Sequence, residues 1–233
     1  MRTLLFDIDG TLLLTNRGGG RALQQAIEQE FGVADVRMDV SFAGRTDRSL
    51  LMEILQRNGL PTSEDYQSRL REIYTGLLPN VLDKYGGQVL PGAIDLLDRL
   101  STEADLRCYV MTGNLHDTAV HKLNHFGLAK YFRGIFGGDH DRERNALAVR
   151  TADVLRDRYG NRATDDVVVI GDTPADIRCG HAIGAKTIAV CTGNHRRDEL
   201  ESENPMVVVD DLSDVSTVFD LLTGSNGVHA SRG

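Results

Sequence analysis

What this chain lacks narrows the reading before any motif is considered. No run approaches ~18 apolar residues, so no membrane span is expected. The N-terminus shows no succession of basic region, apolar stretch and small-residue cleavage site, so no secretory signal is expected. Cysteine is scarce: Cys108, Cys179 and Cys191 form no CxxC pair, and an odd number cannot close a disulfide framework. Cys108 and Cys191 lie in apolar, strand-like runs and read as small buried hydrophobes in a reducing cytoplasm. Positive charge is also short. Lys and Arg number 26 against 34 Asp and Glu, a net charge of -8, and the pI is about 5.3. That balance argues against nucleic acid as the main partner. Internal repeats are missing too. The 233 residues, 41% hydrophobic and 26% charged, have the composition of a globular protein with a full core.

Short β-rich runs recur at Thr3–Ile8, Leu106–Thr112, Asp166–Gly171, Lys186–Cys191 and Met206–Val209, with Tyr131–Phe136 a further short candidate. Most are continuously apolar, as strands covered on both faces are. Helix-like segments at 91–100, 116–126, 145–158 and 174–183 lie between them. The alternation predicts an α/β fold: a Rossmann-like parallel sheet with helices on both faces. From about 16 to 87 the rhythm breaks. Three amphipathic stretches there end near Gly and predict a small all-helical domain inserted after the first strand. "NRGGG" at 16–20 and "GGQVLPG" at 86–92 flank it and read as linkers. The expected organisation is a core of 1–15 and 88–223, a helical unit of 16–87, and a mobile tail of 224–233.

The stretch "TLLFDIDGTLL" puts Asp7 and Asp9 at the end of a buried strand. Residues i and i+2 of a strand share a side, and ligands of open parallel sheets bind beyond the strands' carboxyl ends. Unpaired buried carboxylates are costly, which points to a cation and a polar ligand. Other strands end alike. "VMTGN" closes with Thr112, Gly113 and Asn114, a hydroxyl and backbone N–H groups before a helix. "VVVIGDTPADI" closes with Asp172, then Pro174 at a helix start and Asp176 beyond. So oxygen-rich a set suits a hard cation, Mg²⁺ first.

These residues carry a resemblance. "DIDGT" at 7–11, "VMTGN" at 110–114 and "GDTPADI" at 171–177, in order and each closing an expected strand, resemble the motifs of the haloacid dehalogenase-like hydrolases. The similar branch is that of phosphoglycolate phosphatases and β-phosphoglucomutases, and the likeness covers about 1–222. The helical insert resembles that family's cap domain. The resemblance implies that Asp7 is the nucleophile forming an aspartyl-phosphate, and that Asp9 is the acid and then the base. It implies that Thr112, Gly113 and Asn114 hold phosphoryl oxygens. Mg²⁺ would be bound by Asp7, the Asp9 carbonyl and Asp172, with Asp176 supporting.

The third motif departs from the family pattern: "GGDHDRERNALAVR" at 137–150 has no Lys. Arg144, leading into a helix, is the expected phosphate-side cation, with Arg142 second. "FAGRTD" at 42–47 lies in the cap, where the resemblance implies substrate selection, and Arg45 is the candidate grip for a substrate anion. The expected function is a Mg²⁺-dependent phosphatase acting on a small phosphorylated metabolite, as a monomer or homodimer. A β-phosphoglucomutase-type phosphomutase uses the same core residues and is the alternative. A phospho-accepting receiver module is disfavoured by the chain's length and its helical insert.

Overall fold

The computed structural model describes residues 1–224. The nine residues of 225–233, nearly all of the expected tail, lie outside them. A six-stranded parallel sheet runs in the order β5-β4-β1-β6-β7-β8. Its strands are β1 (Arg2–Phe6), β4 (Leu106–Met111), β5 (Ile135–Phe136), β6 (Val167–Gly171), β7 (Lys186–Val190) and β8 (Val207–Val209). Central β1 is apolar on both sides, because both its faces are covered. Leu4 and Phe6 pack with Val110, Ile170 and the helices α4 (Ala93–Ser101), α5 (His116–His125) and α9 (Val215–Thr223). Leu5 faces the other way, against Tyr109, Val169 and the helices α6 (Arg144–Tyr159) and α7 (Pro174–Ala182). The remaining short helix, α8, is Arg197–Glu201.

The helical insert comprises α1 (Gly18–Phe31), α2 (Asp47–Arg57) and α3 (Glu64–Tyr85). Leu23 and Ile27, Leu51 and Ile54, and Leu70, Tyr74 and Leu78 close an apolar cluster of their own, and Leu115 from the sheet domain inserts into it. The flanking segments are not plain linkers. Gly18–Gly20 form the first turn of α1, because the chain reversal falls on Asn16 (φ 49°) and Arg17 (φ 64°) before them. On the other side, β3 (Gln88–Val89) pairs antiparallel with β2 (Leu13–Leu14), so both connections run together as a two-stranded ribbon. Between Ala129 and Phe136 only the last two residues are strand; Ala129–Tyr131 is a turn of 3₁₀ helix.

Parallel register places the site. Phe6 lies beside Val110 on one neighbour and Ile170 on the other. The residues that follow these three strands therefore emerge side by side at one sheet end, where the strand order switches direction.

Candidate active site

β1 ends at Phe6, so Asp7 and Asp9 are not consecutive teeth of one strand face as the i, i+2 spacing suggests. Asp7 stays on the sheet axis, donating its N–H to the Ile170 carbonyl at 2.9 Å. The chain then turns through Gly10, whose φ of +86° is readily reached only without a side chain. A Cβ at Gly10 would lie 2.4 Å from the Asp172 carboxylate, so the turn also makes room for that group.

Asp7, Asp172 and Asp176 form a buried cluster in which one carboxylate oxygen of each lies within 4.8 Å of the others. Asp176 is held by the start of α7: Thr173 donates to it from its N–H at 3.1 Å and its hydroxyl at 2.7 Å. Asp172 accepts the Thr11 hydroxyl at 3.1 Å. Arg144, first residue of α6 and buried, lies against Asp7 Oδ1 at 3.4 Å and pairs with Asp176.

Burial governs the electrostatics. Desolvation pushes the Asp7 carboxyl up to about 7; Arg144 opposes the rise, and Asp176 and Asp9 add to it. Burial also raises Asp172 well above the usual carboxylate range, reinforced by Asp176 and Asp7. Burial works against the charge on Arg144, but Asp176 and Asp7 outweigh it and keep the guanidinium protonated. Three clustered carboxylates thus have one arginine among them, against Asp7 and Asp176. Hard oxygen donors with one compensating charge fit a divalent cation of the Mg²⁺ kind.

Asp9 stands apart from this cluster. Its carboxylate, 37% exposed, accepts from Asn114 Nδ2 at 2.7 Å and from Lys122 Nζ at 2.6 Å. Thr112 and Asn114 sit where β4 ends, and Asn114 Nδ2 also donates to Thr112 Oγ1 at 2.8 Å. The structure therefore brings Asp7, Asp172, Asp176 and Arg144 into one group, with Asp9, Thr112 and Asn114 beside it. Arg45 is placed differently. Its guanidinium is tied to Glu53 at 2.6 Å and Ser49 at 3.2 Å on α2. It lines an open cleft of about 270 Å³ with Arg142, Arg144 and Arg178.

Two residues were not singled out from the sequence. Lys122 is 3% exposed on the same face of α5 as Thr118, Ala119 and Leu123. A lysine on the apolar stripe of the helix after "VMTGN" was the available signal. Asp47 begins α2, where an acid ordinarily does no more than complement the helix dipole. Its N–H donates to the Gly113 carbonyl at 2.7 Å, and its carboxylate accepts from the Leu115 N–H at 3.0 Å and the Tyr74 hydroxyl at 3.4 Å.

Residues 4–190 match the model of the haloacid dehalogenase-like hydrolase family. The chain belongs to that family. This haloacid dehalogenase-like hydrolase is 27% identical over 223 residues to a phosphoglycolate phosphatase of Rhodospirillum rubrum, covering 91% of this chain and 88% of the relative. It is 28% identical over 202 residues to the pyrimidine 5′-nucleotidase PynA of Streptococcus pneumoniae, covering 79% and 81%. A solved structure from Thermotoga maritima assigned as a β-phosphoglucomutase shares the fold at a TM-score of 0.62 and 18% identity, covering 95% of this chain and 99% of that one. The relatives matched in sequence are phosphoric monoester hydrolases by name, phosphoglycolate phosphatases among them. No helix among the described residues is long and apolar enough to cross a membrane.

Proposed function

We propose that this hydrolase cleaves a small phosphomonoester by way of an aspartyl-phosphate on Asp7. The observation that carries the reading is the separation of two aspartates into different surroundings. Asp7 lies buried among Asp172, Asp176 and Arg144, while Asp9 is hydrogen-bonded outside that cluster and partly open to solvent. Two carboxylates in unlike environments can divide nucleophile and acid–base work.

In the first half-reaction an Asp7 carboxylate oxygen attacks phosphorus and the ester P–O bond breaks. The leaving oxygen takes the proton of the Asp9 carboxyl. In the second, Asp9 accepts a proton from water as that water attacks the phosphorus. The bond to Asp7 breaks, and inorganic phosphate is released. Arg144 stabilises the charge on the phosphoryl oxygens, as do the Thr112 hydroxyl and the backbone N–H of Gly113. Both N–H bonds of the Asn114 amide are already engaged, so its side chain supports rather than grips phosphate. Asp7 and Asp172, with the Asp9 carbonyl, would hold Mg²⁺, and Asp176 would support it. The ion would supply charge neutralisation between carboxylates and phosphate.

Residues 16–87 act in this reading as a cap that closes the pocket, and Arg45 with Arg142 would meet an anionic part of the substrate from the cleft beside it. Cys108 and Cys179 are free and buried, which fits a cytoplasmic setting. The test is phosphate release from a panel of phosphoglycolate, sugar phosphates and nucleoside monophosphates, with Mg²⁺ and with EDTA. Turnover that EDTA and Asp7→Asn each abolish is expected. A hexose phosphate isomerised without phosphate release would move the assignment to a phosphomutase.

A further inference from the structure

Lys122 occupies a position where an ordinary lysine is expensive. It is 3% exposed, and its stem lies on the buried face of α5. A buried ammonium persists only where its hydrogens have acceptors. Two are satisfied by Asp9 Oδ2 at 2.6 Å and Asn114 Oδ1 at 2.7 Å.

The second bond has a directional consequence. An ammonium only donates, so the atom of the Asn114 amide facing it has to be the oxygen. The Nδ2 group is thereby turned the other way, onto Asp9 Oδ2 at 2.7 Å and Thr112 Oγ1 at 2.8 Å. Thr112 Oγ1 also receives the Asn114 backbone N–H at 3.3 Å. With both lone pairs taken, the hydroxyl has its own proton left to give, as its role toward a phosphoryl oxygen requires. Lys122, a donor only, and the Asp9 carboxylate, an acceptor only, thus hold the amide from its two ends. Flipped, the amide would set its oxygen against the Asp9 carboxylate.

We propose that Lys122 is a positioning residue. It fixes the Asp9 carboxylate directly and anchors a hydrogen-bond chain that runs through the Asn114 amide to Thr112. The proposal rests on the phosphatase reading above. It goes further in assigning the placement of the acid to one residue that does not touch the phosphoryl group.

The test compares wild type with Lys122→Met, which keeps the side-chain length but not the charge or the donors. Two Mg²⁺-supported substrates are used: an alkyl phosphate, whose leaving oxygen needs a proton, and p-nitrophenyl phosphate, whose leaving group does not. If Lys122 positions the acid, kcat/KM on the alkyl ester, which reads the half-reaction in which the leaving oxygen is protonated, falls by about 100-fold or more, the scale of general acid catalysis. KM stays within about threefold and the loss on p-nitrophenyl phosphate is at least tenfold smaller, on the same principle. A role in fold stability alone would depress both esters equally, and that result would overturn the proposal. A crystal structure of the variant gives a second readout that needs no turnover. Asp9 rotated from its wild-type position is expected; an unmoved Asp9 would sink the idea even if wild type hydrolysed no ester on the panel. Should Lys122→Met fail to fold, Asn114→Leu interrupts the same chain. The same bias against the alkyl ester supports the proposal there, and an even loss rejects it.

Discussion

The carboxylate of Asp47 accepts the backbone N–H of Leu115 at 3.0 Å. One residue of the cap is thus hydrogen-bonded to the loop that carries Thr112, Gly113 and Asn114, and Leu115 itself is buried in the cap's apolar cluster. Nearby, the Thr46 hydroxyl donates to the Arg142 carbonyl at 3.2 Å, and Arg48 donates to the Asp139 carbonyl at 3.2 Å. The segment "RTDR" at 45–48 is where cap and core interlock.

Burial pushes the Asp47 carboxyl up to about 6, against the pull of Lys122 and the Leu115 N–H and with a contribution from Asp9. A carboxyl raised on folding binds more protons in the native than in the unfolded chain between its two pKa values. Its contribution to stability therefore falls as pH rises from about 4 to about 6. Asp47→Asn removes that dependence. Melting temperatures of variant and wild type across this range should diverge in favour of the variant as pH rises. A constant difference would contradict the raised pKa.

Gly113 is where the cap loop presses on the core. A Cβ there would lie 1.9 Å from the Arg45 carbonyl oxygen. Gly113→Ala should hold the cap off while the sheet core stays folded. The expected signs are a raised KM, lower kcat and faster proteolysis within 42–47, with circular dichroism unchanged. Wild-type kinetics in this variant would show that the loop can yield without cost.

Metal binding should be pH-dependent through Asp7. With its carboxyl at about 7 in the absence of metal, binding a cation at neutral pH has to displace a proton. Raised on folding, Asp7 costs the metal-free protein stability as pH climbs toward 7. The gain in melting temperature on adding Mg²⁺ should therefore grow between about pH 5 and pH 8. Calorimetry in buffers of different ionisation enthalpy should register proton release near pH 7. A gain independent of pH would place the cation away from Asp7.

Among the described residues, Arg144 is the one positive charge in direct contact with both Asp7 and Asp176. Arg144→Ala leaves buried carboxylates uncompensated and should destabilise the metal-free protein by about 3–5 kcal/mol. Arg144→Lys should recover much of that stability and little of the turnover, because a point charge cannot span two carboxylates as a guanidinium fork does. Denaturant melts paired with steady-state kinetics separate the two effects. Full activity in Arg144→Lys would show that charge alone suffices.

Much of this protein is legible in the sequence because strong local rules point one way. Continuous apolar runs such as "DVVVIG" declare strands buried on two faces, and the helical segments between them declare a parallel sheet. In such a sheet Asp7, Thr112 and Asp172 belong at one end whatever the rest of the chain does. Side-chain direction does not follow from that placement. β1 stops at Phe6, so strand alternation does not set where the Asp9 carboxylate lies; Asn114 and Lys122 hold it. The linker reading of Gly18–Gly20 failed because where a helix starts depends on where the chain reverses, here at Asn16 and Arg17. Lys122 and Asp47 gained their surroundings only when α5 came beneath "DIDGT" and the cap descended on Gly113, contacts spanning 113 and 68 positions of chain. The sequence by itself determined the sheet and which strand ends carry oxygen ligands. Only the tertiary fold gathered Asp7, Asp172 and Asp176 into one cluster and set Lys122 against Asp9, because burial and long-range approach set charge and hydrogen-bond direction and have no local code.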